Sequence, residues 1–226
     1  MLEHILVYGI LVKMNKISVV YDLVKNHFSA YGKSSHDFEH TKRVYRLALF
    51  IGKKESADIE ILSYASLLHD IGRHMQDETK GRICHAEYGC ELAGDILKNL
   101  EIEEEKIRKI LNCILRHRSK GHLIPQTIEE KILFDSDKID SIGATGIGRA
   151  FMFASEVGAD LHNPYVSIDE SCAYSKDDTA YREYLLTLSK VKDRVFTKTA
   201  KKIAKKRSRF MDEFFKQLNK EFDLKL

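Results

Sequence analysis

The sequence has little of what disulfide-rich, membrane-spanning or β-rich proteins need. Its 226 residues include only two prolines, no tryptophan and four cysteines. The cysteines show no C-x-x-C spacing and no secretory signal precedes them, so we expect no disulfide framework and a reducing, cytoplasmic location. The apolar run over residues 5–12 is far shorter than the roughly 20 residues that span a bilayer, so no membrane anchor is expected.

Composition favours one helical domain. Charged residues make up 31% of the chain and hydrophobic residues 43%, in long periodic stretches rich in Lys and Glu, which indicates an all-α protein. The length is that of one domain, so we predict a single domain over residues 1–226. Met14 is a plausible alternative start of translation, in which case residues 1–13 are an appendage. The alternative is that residues 1–13 add a short packed element.

The charge balance does not indicate a nucleic-acid partner. The formal net charge is only +3. Basic residues cluster between Lys190 and Arg209, and we interpret this cluster as the solvated face of a helix. The expected partner is a small molecule, and whether the chain forms a homo-oligomer is left open.

Apolar residues recur at helical spacing and predict the helices. The predicted helices cover about 17–28, the segment behind His40, 57–68, 85–99, 103–117, 128–142, 178–193 and 197–221. Residues 75–84 read as a polar loop and 158–176 as a long irregular stretch. Gly72 indicates that a helix ends near His69-Asp70, where adjacent side chains converge on an ion more easily than on a regular helix. Gly143, Gly146 and Gly148 favour close helix packing over a phosphate cradle, because no strand precedes them.

Four separated segments carry the residue types of a hydrolytic metal site. These are His40 in segment 35–40, the doublet His69-Asp70, the isolated His85 and His117, and Asp137 in segment 135–140. Imidazole nitrogens and carboxylate oxygens suit Mn, Mg, Ni, Fe or Zn, and a site with few protein ligands leaves room for water and substrate. The pattern therefore predicts metal-assisted hydrolysis.

The order His…His-Asp…Asp resembles the HD-domain superfamily of metal-dependent phosphohydrolases over most of the chain. The resemblance implies an all-α helical bundle with a metal site between its helices, and a motif-bearing core at about 36–149. It also implies that the ion is held by His40, His69, Asp70 and Asp137. Asp137 fits better than Asp135 or Asp140, because segment 136–139 matches the small-Asp-basic-apolar pattern of the family.

Segments 36–44, 137–149 and 197–214 further resemble the branch of small HD proteins that act as nucleotide pyrophosphohydrolases. This branch implies that a nucleoside triphosphate is cut to a monophosphate and pyrophosphate. Where the branch carries His-Phe-x-x-Lys-Leu, this chain reads Ala-Tyr-Arg-Glu-Tyr-Leu at 180–185, so the exact nucleotide is not transferred. Three alternatives stay open: a 5′-nucleotidase or other phosphatase, a cyclic mononucleotide or dinucleotide phosphodiesterase, and a non-catalytic nucleotide sensor.

The remaining polar residues are assigned to catalysis and to the phosphate chain. The candidate catalytic residues are Asp70, His85, His117 and Arg43. The candidate substrate-binding residues are His36, Arg43, Lys138 and Arg149. In two-metal HD proteins, histidines like His85 and His117 complete a second ion site, and in one-metal relatives they contact phosphate or relay protons; we favour one ion and keep a second open. Lys138 and Arg149 could equally form surface ion pairs, and Asp37 could cap a helix.

Overall fold

The computed structural model describes residues 15–30, 37–79, 81–119, 121 and 123–224. The expected N-terminal appendage and His36 lie outside the described residues. Within the described ranges the chain forms helices joined by turns and no β-strand, which confirms the all-α prediction. No helix in this part of the chain is both long enough and apolar enough to cross a membrane.

The chain divides into two compact units, residues 1–134 and 135–226. The interpretation of the chain as one domain stays a prediction. The first unit contains α1 (Lys16–Ala30), α2 (Phe38–Glu55), α3 (Ile59–Leu68), α4 (Arg73–Glu78), α5 (His85–Asn99) and α6 (Glu104–Arg116). Helix α7 (Ile128–Asp140) contains the boundary between the units. The second unit continues with α8 (Gly143–Glu156), α9 (Ala180–Leu186), a 3-10 turn (Leu188–Lys190), α10 (Val191–Arg194) and α11 (Lys198–Phe222).

Helix α3 is the buried centre of the first unit. Every residue from Ile61 to Leu68 is buried, as expected for a helix that other helices surround. Helices α1, α2 and α6 pack against it. Asp58 caps its N-terminus by accepting the backbone N–H groups of Glu60 and Ile61 at 2.9 and 3.1 Å, as Asp commonly does at this position. The C-terminal end of α3 therefore delivers the doublet His69-Asp70 into the interior.

The turn after the doublet lies directly on the backbone of α5. A Cβ atom at Gly72 would lie 2.6 Å from the carbonyl oxygen of His85 and 2.7 Å from the backbone nitrogen of Gly89. Only glycine allows two backbones to approach this closely. This contact brings the start of α5, and with it His85, next to the doublet.

Two predicted segments, one loop and one helix, are wrong in part. The segment predicted as a polar loop at 75–84 contains the end of α4, a six-residue helix that packs against α5. The helix predicted at 178–193 is instead divided into α9, the 3-10 turn and α10. The division falls at Thr187, whose φ of −127° lies outside the helical range.

In the second unit, Asp135 fixes the start of α11. Its buried carboxylate accepts the backbone N–H groups of Phe196 and Thr197 and the hydroxyl group of Thr197, each at 2.8 Å. These three hydrogen bonds give Asp135 a structural role. They support the preference for Asp137 over Asp135 as the metal-ligand candidate.

Candidate metal centre

Asp70 is the centre of the candidate site. Its side chain is buried, and its two carboxylate oxygens face different pairs of histidines. Oδ2 lies 3.6 Å from Nε2 of His69 and 3.7 Å from Nε2 of His40. Oδ1 lies 3.2 Å from Nε2 of His85 and 3.6 Å from Nε2 of His117. The first unit thus brings five of the predicted site residues together.

The four histidines lie on, or directly after, four different helices. His40 is in the first turn of α2, and His69 is the residue after the end of α3. His85 opens α5, and His117 follows the last residue of α6. The predictions that the doublet sits at a helix end, that His85 starts a helix and that His117 ends one are confirmed. Asp37 caps α2, since its carboxylate accepts the backbone N–H of His40 at 3.1 Å.

Hydrogen bonds of Nδ1, on the side of each ring that faces away from Asp70, fix the tautomer of three histidines. In each, Nδ1 lies within 2.8 Å of an oxygen atom. The partners are the carbonyl of Ser66 for His69, the side-chain oxygen of Gln76 for His85 and the carbonyl of Ile114 for His117. A carbonyl oxygen only accepts hydrogen bonds, so Nδ1 carries the proton, and in the neutral ring Nε2 presents a lone pair to the site.

These lone pairs make the donor set suitable for a cation. Nε2 of His85 lies 3.1 Å from Nε2 of His117, and Nε2 of His69 lies 3.4 Å from Nε2 of His40. The group Asp70, His85 and His117 has the spacing of ligands that could hold a metal ion. Several imidazole nitrogens and a carboxylate directed at one place, with outer-side hydrogen bonds orienting the rings, are typical of transition-metal ligands.

The charges at the site favour the same conclusion. Burial raises the pKa of the Asp70 carboxyl, but His69, His85 and His117 outweigh this effect and hold that pKa well below its usual range. Burial lowers the pKa of His85, and the neighbouring Asp70 offsets this only in part. A charged carboxylate beside a neutral imidazole is the protonation state that metal binding requires.

Two further residues belong to the site, and the sequence analysis did not assign them. Gln76 on α4 accepts from Nδ1 of His85 at 2.8 Å, and its side-chain oxygen also accepts from Arg118 at 3.2 Å. Because the guanidinium of Arg118 can only donate, this contact identifies the oxygen of the Gln76 amide. Arg118 directly follows the candidate His117 in the sequence, and this position could have indicated that it belongs to the site. No motif indicated Gln76.

Two of the predicted phosphate-binding residues, Lys138 and Arg149, form ion pairs in the structure. Arg43 is half-buried on α2, three residues after His40. Lys138 pairs with its neighbour Asp137 at 2.8 Å, and Arg149 pairs with the buried Asp140 at 3.1 Å. These ion pairs are the structural alternative that the sequence left open, so a phosphate contact by Lys138 or Arg149 stays a prediction. Asp137 lies on α7 in the second unit, and its role as a ligand stays a prediction from the motif.

Known proteins resemble this chain over most of its length. The family model of the HD domain matches residues 37–142. The uncharacterized protein YpgQ of Bacillus subtilis (strain 168) is 34% identical over 192 residues, which cover 83% of this chain and 85% of YpgQ. The crystal structure of Bacillus subtilis YpgQ in complex with ADP matches with a TM-score of 0.72 and 29% identity, over 91% of this chain and 94% of the other. The crystal structure of an HD-superfamily hydrolase from Bacillus thuringiensis matches with a TM-score of 0.71 and 28% identity, over 92% and 97% of the two chains.

Proposed function

The chain belongs to the HD-domain superfamily of metal-dependent phosphohydrolases, and from that premise we propose that it hydrolyses nucleoside triphosphates to monophosphates and pyrophosphate. The observation that carries the proposal is the buried Asp70 carboxylate between two pairs of histidines. The nucleotide part is supported by the similarity to YpgQ, one crystal structure of which is a complex with ADP. All four cysteines are free, which supports the cytoplasm as the place of the reaction.

We assign His40, His69 and Asp70 as ligands of a divalent ion (Mn, Mg, Ni, Fe or Zn). The HD motif adds Asp137 as the fourth ligand. An ion bound there would polarise a phosphoryl oxygen and lower the pKa of a bound water. The donor set contains imidazole and carboxylate groups and no thiolate, which suits any of these metals.

The residues around the ion transfer protons and stabilise the negative charge of the phosphate chain. Nε2 of His85 faces the site as a neutral base, so it can take a proton from an attacking water. His117, whose Nε2 lies 3.1 Å from that of His85, can pass the proton on or contact a phosphate oxygen. The guanidinium of Arg43 stabilises negative charge on the phosphate chain. Lys138, Arg149 and His36 are assigned the same task from the sequence.

A metal-replete activity screen tests this function. Nucleoside tri-, di- and monophosphates are incubated with the protein in a pyrophosphatase-free assay, and the released phosphate species are identified. We expect pyrophosphate from triphosphates and little turnover of monophosphates. Orthophosphate as the only product would favour the phosphatase alternative, turnover of cyclic nucleotides the phosphodiesterase, and binding without turnover the sensor.

Arg43 tests how the phosphate chain is seated. A monophosphate leaves donors meant for a longer chain unpaired, at a cost of about 1–3 kcal/mol each. Arg43→Ala should therefore raise the KM for a triphosphate by about tenfold and change the KM for a monophosphate less. The matched control is Arg46→Ala, which removes the same charge from an exposed position one turn further along α2. Equal effects of both variants on the triphosphate would contradict the assigned role of Arg43.

A second ion is a specific alternative, because Asp70, His85 and His117 have the spacing of metal ligands. Elemental analysis of the purified protein separates the two cases. One tightly held ion per chain leaves His85 and His117 to act on water and phosphate, as we propose. Two ions per chain would make them ligands and move the balance toward the phosphodiesterase alternative.

A further inference from the structure

A cavity of about 640 Å³ lies in the second unit and has no part in the function proposed above. Lys192 of α10 and Lys201, Lys205 and Arg209 of α11 line it. Its volume lies within the range of about 300–1,000 Å³ found for small-molecule sites. The basic cluster that the sequence analysis interpreted as a solvated helix face is therefore arranged around a concave site.

The lining carries a net positive charge. Its four cationic side chains face two carboxylates, those of Asp193 and Asp212. Asp212 is already engaged, because it accepts the hydroxyl group of Tyr184 at 2.8 Å and lies 3.9 Å from Nζ of Lys192. Lys201, Lys205 and Arg209 are spaced four residues apart, so they share one face of α11 and repel one another. A bound anion would relieve this repulsion.

Ser208 supplies a second, independent observation. It lines the cavity, yet its residue is only 2% exposed. Its hydroxyl group has no hydrogen-bond partner among the residues that the structure describes. A buried hydroxyl group without a partner is costly, and an oxygen atom of a ligand in the cavity would accept its hydrogen bond.

We propose that this cavity is a binding site for a small phosphate-bearing molecule with more than one phosphate group. Cationic side chains together with a buried hydroxyl donor are the groups that bind phosphate oxygens. The volume exceeds what one phosphate fills, so a diphosphate or a longer phosphate chain fits best. The site is separate in its residues from the metal centre, and it does not depend on the activity proposed for that centre.

Calorimetric titration of the full-length protein with inorganic pyrophosphate tests the proposal. The titration is done at fixed ionic strength, once without metal, so that no ion holds the probe at the metal centre, and once with metal. Lys201→Gln/Lys205→Gln should weaken binding by about tenfold or more, since it removes two charge-assisted contacts. Ser208→Ala, a small change that leaves the charge intact, should weaken it by about threefold or more.

The matched control is Lys202→Gln/Lys206→Gln. These two exposed lysines lie on the same helix with the same spacing and carry the same charge, but they do not line the cavity. We expect their replacement to change the affinity by less than about twofold, since exposed charges that do not contact the ligand are screened by salt. Circular dichroism checks that every variant keeps its helices.

Three results would overturn the proposal. They are the absence of pyrophosphate binding, an equal loss in the control variant, and unchanged affinity in Ser208→Ala. A single-stranded RNA oligonucleotide that binds through Lys201 and Lys205 while pyrophosphate does not would also overturn it, because the surface would then serve a nucleic acid.

Discussion

Gly72→Ala tests the geometry of the metal centre most directly. A Cβ atom at this position would lie 2.6 Å from the carbonyl oxygen of His85 and 2.7 Å from the nitrogen of Gly89. Both are backbone atoms of α5, so no side-chain rotation relieves the overlap and the helix must shift. Overpacking of this kind costs about 1–3 kcal/mol. The shift carries His85 away from Asp70, from which its Nε2 lies 3.2 Å, and a misplacement of about 1 Å can cost about 100-fold in rate.

We therefore expect Gly72→Ala to lower the free energy of unfolding by about 1–3 kcal/mol and turnover by about 10- to 100-fold. Urea denaturation and steady-state pyrophosphate release measure the two quantities. Gly94→Ala is the control, because it adds the same methyl group to α5 at ordinary contact distance, 3.7 Å from Leu111. Alanine is favoured over glycine in a helix by about 1 kcal/mol, so this variant should be at least as stable and fully active. The reasoning fails if both variants behave alike.

Three other predictions follow from single residues. Asp70→Ala should remove bound metal and turnover while circular dichroism shows the helices intact; turnover retained in a metal-replete assay would contradict the ligand assignment. Gln76→Leu takes the acceptor from Nδ1 of His85 and should reduce turnover by about 10- to 100-fold while metal titration shows the ion still bound; a change in turnover below about twofold would argue against a positioning role. Burial lowers the pKa of His162 below 6.5, although a hydrogen bond with Asn219 opposes this effect, so its contribution to stability should be full above pH 6.5 and be lost as the pH falls below that value. The thermal midpoint of His162→Gln should consequently fall less than that of the wild type between pH 7.5 and 5.5, and parallel falls would refute the assignment.

The positions of the long helices were predictable because their signals are local. Helix α5 runs from His85 to Asn99, the bounds predicted from apolar periodicity, since its buried positions recur at helical spacing. The helix before His69 ends where the doublet and Gly72 indicated. Apolar periodicity reports which face of a helix is buried, and a burial pattern within one helix can be read from the residues of that helix alone.

The supporting contacts were not predictable, because they join residues that are far apart in the chain. Gln76 and Arg118 are 42 residues apart and meet only after α4 and α6 have both packed on α5. Helix α4 itself has six residues and no apolar repeat, so tertiary contacts and not local propensity decide its form. The cavity beside Ser208 arises in the same way, from α10 and α11 lying together, whereas the sequence shows only a basic helix face.

The two oxygens of Asp70 alter how the candidate residues should be grouped. The sequence separates ligand histidines from phosphate-contacting histidines, but His40 and His69 face Oδ2 while His85 and His117 face Oδ1 of the same carboxylate. This is feasible because Asp70 follows the end of α3, where its side chain is free of the 100° spacing of a regular helix.

The turn that holds Asp70 is itself anchored from α1, because a ring nitrogen of His27 lies 2.9 Å from the carbonyl oxygen of Ile71. The Asp70 carboxylate lies between both pairs of histidines, so it couples the pair His40 and His69 to the pair His85 and His117. A change at Asp70 should affect both pairs of histidines, whereas a change at Gln76 should act through His85 and leave the pair His40 and His69 in place. Comparing these two variants measures how far metal binding and proton transfer depend on one shared group.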